Sequence, residues 1–255
     1  MSRSSMSSLA ALLVPALLQA QGVPFGYVPH NRPARRATFT VRIENVSTPA
    51  TLKLSNGQMA PAPNAPGLWV VHSEPEPLFS AGRRDRGKGL EALAEDGNPA
   101  VLASAVQHQR GSAASGTFLI PTGDAMPGPA TPGKAFEFTV TAEPGQRLTF
   151  ATMFGQSNDL FLAPDDRGIQ LFDSKGDVMS GDITSLIYLW DAGTEVNQEP
   201  GLGPDQAPRQ AAPNTGASER KSVQLVSEAK DRFKYPKVSE VLRVTVTPLA
   251  TGAMD

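Results

Sequence analysis

Phe39, Val41 and Ile43 alternate with Thr38, Thr40, Arg42 and Glu44, a period of two that predicts a strand with one face buried. The same alternation returns in Phe136, Phe138 and Val140 against Glu137, Thr139 and Thr141. It recurs in Leu242, Val244 and Val246 against Arg243, Thr245 and Thr247. Between these segments lie short apolar runs at 68–71, 148–154, 160–162, 169–172 and 186–190, mostly bounded by Gly, Pro, Asn or Asp. Many short strands so punctuated predict an all-β fold, an antiparallel β-sandwich around one core, rather than a parallel α/β sheet. Two short helices are expected. One covers 89–94 and stops at Gly97; in the next, Asn98 caps and Pro99 takes the first helical position. Both are expected to cover one end of the sandwich.

The ends and one long loop break the pattern. Arg3, the apolar run 9–18 and Leu18-Gln19-Ala20 before Gln21 have the layout of a secretory signal peptide cleaved near Ala20, which implies a secreted or periplasmic protein. The run is far shorter than the roughly 20 residues of a membrane-spanning helix, so no transmembrane segment is expected. Residues 21–36 carry Pro24, Pro29 and Pro33 with Arg32, Arg35 and Arg36 and read as a flexible lead. Residues 37–248 form the domain and 249–255 a tail. Within the domain, 197–221 holds four prolines with Gly201, Gly203 and Gly216, and is a long loop without regular structure.

Composition narrows the function classes. About 235 residues remain after cleavage, enough to bury most of the chain's apolar surface in one domain. The net charge of −2 and the pI near 6.0 leave no basic footprint for nucleic acid. The absence of cysteine excludes thiol catalysis, iron–sulfur clusters and cysteine zinc sites.

The most informative string is Trp190-Asp191-Ala192-Gly193-Thr194-Glu195, directly after an apolar strand. In an extended chain Asp191 and Glu195 lie roughly 13 Å apart, too far to share an ion. Gly193 permits a tight turn that would bring the two carboxylates together, with nearby carbonyls adding oxygens. Calcium takes about six to eight oxygen ligands, so a third anion must come from elsewhere.

This string resembles the Trp-Asp-Ala-Gly-Thr-acid signature of the spondin domain family, known from F-spondin and its bacterial relatives. Two further blocks are similar to family segments. One is His72-Ser73 with Leu78, Gly82 and the run 89–99; the other is Phe154-Gly155-Gln156-Ser157-Asn158-Asp159-Leu160-Phe161. Together they span roughly residues 37–248. The resemblance implies a β-sandwich similar to calcium-dependent membrane-binding modules, with a calcium ion at one end held by Asp159, Asp191 and Glu195. Glu195 stands where animal members carry Asp, which lengthens its reach by one methylene. The cysteines of animal spondins and their reelin-like and thrombospondin-type flanking modules have no counterpart in these residues, so adhesion roles that depend on them are not carried over.

Each residue has a plainer reading beside this one. Asp159 fits an Asx turn, Asp191 a strand end and Glu195 a solvated position. Asp173, Asp177 and Asp182 miss the EF-hand spacing and read as a solvated hairpin region. The Gly155–Asp159 stretch lacks the second Gly of a nucleophile elbow. Of the three histidines, His30 lies in the lead, and His72 reads as a hydrogen-bonded structural residue. Asn45-Val46-Ser47 is a short match to a glycosylation sequon. The chain is therefore expected to be an exported calcium-binding interaction or adhesion-type module with no catalytic residues. Its ligand would be an envelope component, a lipid surface or a matrix polymer, and an absence of exposed basic or aromatic clusters near the turn weighs against lipid. Two alternatives stand beside it. One is a polymer hydrolase with structural calcium and with Asp165 or Asp166 as its working acids, which needs carboxyls facing across a cleft. The other is a purely structural domain, favoured if the three acids lie apart.

Overall fold

The computed structural model describes residues 24–28 and 36–249. Strand β1 (Gly26–Val28) is followed by β2 (Ala37–Asn45), a small hairpin of β3 (Leu52–Lys53) and β4 (Met59–Ala60), and β5 (Asn64–His72). Helices α1 (Leu90–Asp96) and α2 (Ala100–Gln107) come next. Then follow β6 (Ser112–Phe118), β7 (Ala135–Ala142), β8 (Arg147–Phe154), β9 (Leu160–Ala163), β10 (Ile169–Gln170), β11 (Val178–Asp182) and β12 (Tyr188–Asp191). After the long loop, β13 (Gln224–Leu225), the single turn α3 (Val238–Val241) and β14 (Leu242–Pro248) close the domain.

The strands form two antiparallel sheets, as the alternation predicts. The first has the order β1-β11-β14-β2-β7, and the second β13-β12-β9-β8-β5-β6 with β10 on the flank of β8. The alternating segments are those of the first sheet. Phe39, Val41 and Ile43 face inward from β2, and Leu242, Val244 and Val246 do so from β14, all fully buried. They pack on Val71, Leu148, Phe150 and Leu162 of the second sheet.

The second sheet differs in a way that explains its apolar runs. Its opposite face carries Leu68, Val70, Ala151, Phe161, Ala163 and Trp190, and these too are buried, beneath Leu78, Phe79 and the two helices. A sheet covered on both faces needs apolar residues at consecutive positions, so 148–154 and 160–163 show no alternation. Two expectations are corrected here. There are two hydrophobic layers rather than one core, and the helices cover a sheet face rather than an end of the sandwich. The helix limits hold closely. Gly97 ends α1 in the left-handed conformation with its N–H on the Leu93 carbonyl, and Asn98 Oδ1 accepts the Ala100 N–H at 3.1 Å to open α2.

The lead is also corrected in part. Residues 26–28 pair with β11 in the register Tyr27↔Met179, so a piece read as flexible forms the edge strand of the first sheet. The proposed signal peptide, His30 and residues 250–255 lie outside the described residues. No helix among the described residues is long and apolar enough to cross a membrane. The sequon is not available in the folded chain. Asn45 is fully buried, donates to the carbonyls of Ala62 and Ala130 and to Asn64 Oδ1, and accepts from Ser47. Asp173 and Asp177 do form a hairpin turn. Asp173 Oδ1 accepts the N–H groups of Lys175 and Asp177, and the chain then enters β11, a strand the sequence pattern does not show.

The outer layer rests on Phe79, whose ring meets Phe161 edge-on at 5.1 Å and Trp190 at 4.9 Å. Replacing Phe79 with alanine should cost about 3–5 kcal/mol, the usual loss for a buried aromatic. The exposed Val101→Ala on α2 should stay within about 0.5 kcal/mol of the parent. Urea midpoints of the two variants check both.

Candidate metal centre

Strand register brings the first two acids together. In the β12–β9 ladder Asp191 stands opposite Leu160, one residue from Asp159, and the Ala192 N–H bonds to the Asp159 carbonyl at 3.1 Å. Both carboxylates are fully buried. The chain then turns at Gly193, whose φ is 68°, in the left-handed region. A side chain there would also strike the Lys221 backbone at 2.9 Å, so glycine is required twice, by conformation and by contact. The turn aims the N–H groups of Thr194 and Glu195 at Asp159 Oδ2, each at 3.1 Å.

Asp191 is held from three sides. Its Oδ1 accepts the Gly193 N–H at 2.7 Å, and its Oδ2 accepts the side-chain amides of Asn197 at 3.0 Å and Gln224 at 3.2 Å. Asn197 also donates to Asp231, which accepts a hydrogen bond from the Tyr235 hydroxyl at 2.6 Å. Burial and the Asp231 carboxylate raise the Tyr235 pKa, keeping the phenol a donor. Asp159 is different. Its Oδ1 is buried without a hydrogen-bond partner, and so is Oε1 of Glu219, whose other oxygen pairs with Lys221 at 2.7 Å. Burial first, then the charges of Asp191 and Glu219, hold the Asp159 pKa well above the carboxylate range.

Glu195 takes another direction. It is 3 % exposed, and its carboxyl lies against Gly216, where an added Cβ would sit 2.6 Å from Oε2. Burial, then Asp205, Asp96 and Glu91, push its pKa up to about 7, against the Asn158 amide. Glu95, at the end of α1, is likewise pushed to about 7 by burial and by Glu195. The turn thus delivers the Glu195 backbone to Asp159, while the charge of its side chain is felt by Glu95. Among the described residues no group of three or more His, Asp and Glu side chains is gathered as one metal ion would need. Asp159 and Asp191 are brought together, and Glu195 does not complete a triad with them.

Sequence reasoning missed Glu219, Asp231, Asn197 and Gln224, which come from the long loop and the segment after it. No local pattern marks them, because β13 pairing and the Thr194–Glu219 backbone bond place them. A cluster of exposed basic and half-buried aromatic residues was also missed. Arg232, Phe233, Lys234 and Tyr235 line a cleft of about 730 Å³ with Lys53 and Glu199, and a 300 Å³ cavity lies between Asn197, Lys221, Gln224 and Asp231. His72 is buried, its Nδ1–H donating to the Glu74 carbonyl at 2.5 Å and its Nε2 accepting from Thr149 Oγ1 at 2.8 Å. Asp165 accepts the N–H groups of Arg167 and Gly168 in its own turn, and Asp166 holds the Ala81 N–H. Compared with protein-family models the chain matches none, and it matches no curated protein.

The raised carboxyls set a pH dependence. Glu95 and Glu195 start from 4.5 in the unfolded chain and reach about 7 when folded. Between those values the folded state holds more protons than the unfolded one, so their contribution is full below 4.5 and is lost as pH rises through 7. Asp159 acts in the same direction. With chelator present, the thermal midpoint should be higher at pH 5 than at pH 8, and Glu95→Gln should flatten the difference. Circular dichroism melts at the two pH values check this.

Proposed function

We propose that the chain is an exported, non-catalytic interaction module of the spondin type, whose loops are set by a calcium ion held at Asp159 and Asp191. The observation that carries this reading is the Asp159 carboxylate, fully buried beside the buried Asp191 with one oxygen left without a partner. Two buried carboxylates side by side are costly unless a proton or a cation neutralises one of them. Lys221 gives partial relief only, since its ammonium is committed to Glu219 and its side chain is 61 % exposed. The residues fit a hard cation in kind. Asp159 Oδ1 and Glu219 Oε1 are free oxygens, and Asp191 and the carbonyls of the turn add more. Calcium would supply positive charge and fix the turn; the protein's own part is to orient these oxygens from β9, β12 and the 219–221 segment.

The fold supports the resemblance in kind, being an antiparallel sandwich with the Asp-Ala-Gly-Thr-Glu turn at a strand end. The roles of the three acids divide, however, since Asp159 and Asp191 meet through the strand ladder while the Glu195 carboxyl lies against Gly216. The ligand of the module would be an envelope component, a lipid surface or a matrix polymer. The cleft beside Tyr235, with Lys53, Arg232 and Lys234 around Phe233, removes the objection that the region lacks basic and aromatic groups.

Thermal unfolding of the chain with excess calcium and with chelator tests the reading. A thousandfold excess over the dissociation constant should add about 4 kcal/mol. The gain should shrink in Asp191→Asn. An equal midpoint in calcium and chelator for the parent chain would remove the ion from the proposal.

A further inference from the structure

Apart from Asn64 Nδ2, the buried side-chain polar atoms without a partner among the described residues all belong to Glu95, Asp159, Thr194, Glu195 and Glu219. They fall into two groups. Asp159 feels Asp191 and Glu219, whereas Glu95 feels Glu195, Glu91 and Asp96. The two sets share no carboxylate. The second group is the more exposed to challenge, because Glu95 is 1 % exposed and neither of its oxygens has a hydrogen-bond partner. The Thr194 hydroxyl stands beside it, also buried and without a bond of acceptable geometry. Oε2 of Glu195 is the fourth such oxygen.

Native structures leave few buried polar groups unsatisfied, and several at one place point to an occupant. The surroundings choose its charge. Glu91, Asp96 and Asp205 all act on Glu95 or Glu195 with the same sign. A water molecule would bring two donors and no charge, and one shared proton would serve two of the four oxygens. A divalent cation serves all four and neutralises both carboxylates. Two carboxylates and a hydroxyl are hard oxygen donors, which suit calcium, with water or backbone carbonyls completing the sphere. Gly216 lies directly on the Glu195 carboxyl, and Asp96 anchors this part of the loop by accepting from Gln210 and the Asn214 N–H.

We infer that Glu95, Glu195 and the Thr194 hydroxyl form a second divalent-cation site, separate from the Asp159–Asp191 pair and joined to it through the Gly193 turn. The site ties the end of α1 to the turn and to the 205–216 loop, so an ion there fastens the helical layer to the strand ends.

Native mass spectrometry of the metal-stripped full chain, titrated with calcium chloride, tests this. The parent should take up two ions. Glu95→Gln should take up one and Asp191→Asn one, with both variants checked for folding by circular dichroism. Thr194→Val should keep its fold and weaken uptake of one ion at least tenfold. A Glu95→Gln chain that binds as many ions as the parent, together with unchanged affinity in Thr194→Val, overturns the inference and leaves the Asp159–Asp191 reading intact. Loss of all binding in Glu95→Gln with none in Asp191→Asn supports the second site and overturns the first. No uptake by the parent overturns both.

Discussion

The second sheet is buried on both faces, and this constraint decides where polar chemistry can stand. From Leu148 to Phe154 and from Leu160 to Ala163 nearly every side chain points into one apolar layer or the other. A charged group within those strands would be desolvated without relief. The carboxylates are accordingly found at strand ends and in the connections, Asp159 just before β9, Asp191 at the last residue of β12 and Glu95 at the last turn of α1. The chemistry gathers where three elements run out of core together.

The strand ends are also where backbone donors are left over. Asp159 accepts two N–H groups from the turn, and Asp191 accepts a third from Gly193. These bonds hold the carboxylates in place without cancelling their charge. The structure therefore satisfies geometry at this corner while leaving electrostatic strain, with mostly acids turned toward one another and partnerless oxygens confined to one neighbourhood. That combination separates these acids from Asp165 and Asp173, whose carboxylates bond their own turns.

The sandwich was legible because the first sheet has one wet face. Its strands β2, β7 and β14 alternate, and the alternation identified the inward residues. The helical layer was not legible as a layer. Its signature is the loss of alternation in β8 and β9, and an apolar run alone does not say what covers it. The strand β6, with Ser112, Ala113, Ala114 and Ser115, has almost no apolar pattern, and is paired through its backbone to β5. Within the site, the motif paired Asp191 with Glu195 and the family resemblance added Asp159; the meeting of Asp159 and Asp191 follows from a ladder register. The direction of the Glu195 side chain could not be read from the motif. It depends on where the loop 205–216 returns, which is decided by contacts such as Asp96 with Gln210 that are more than one hundred residues apart in sequence.

The short β1 strand has a consequence for the fate of the molecule. It covers the outer edge of β11, pairing three residues from Gly26 to Val28 with Ser180 to Val178. An uncovered strand edge is a template for any extended chain that approaches it. A protease cutting after Val28 would leave every core residue in place yet free a row of backbone donors and acceptors along β11. Shortened molecules would then be prone to join edge to edge, while intact ones are protected by a segment that contributes almost nothing to the interior.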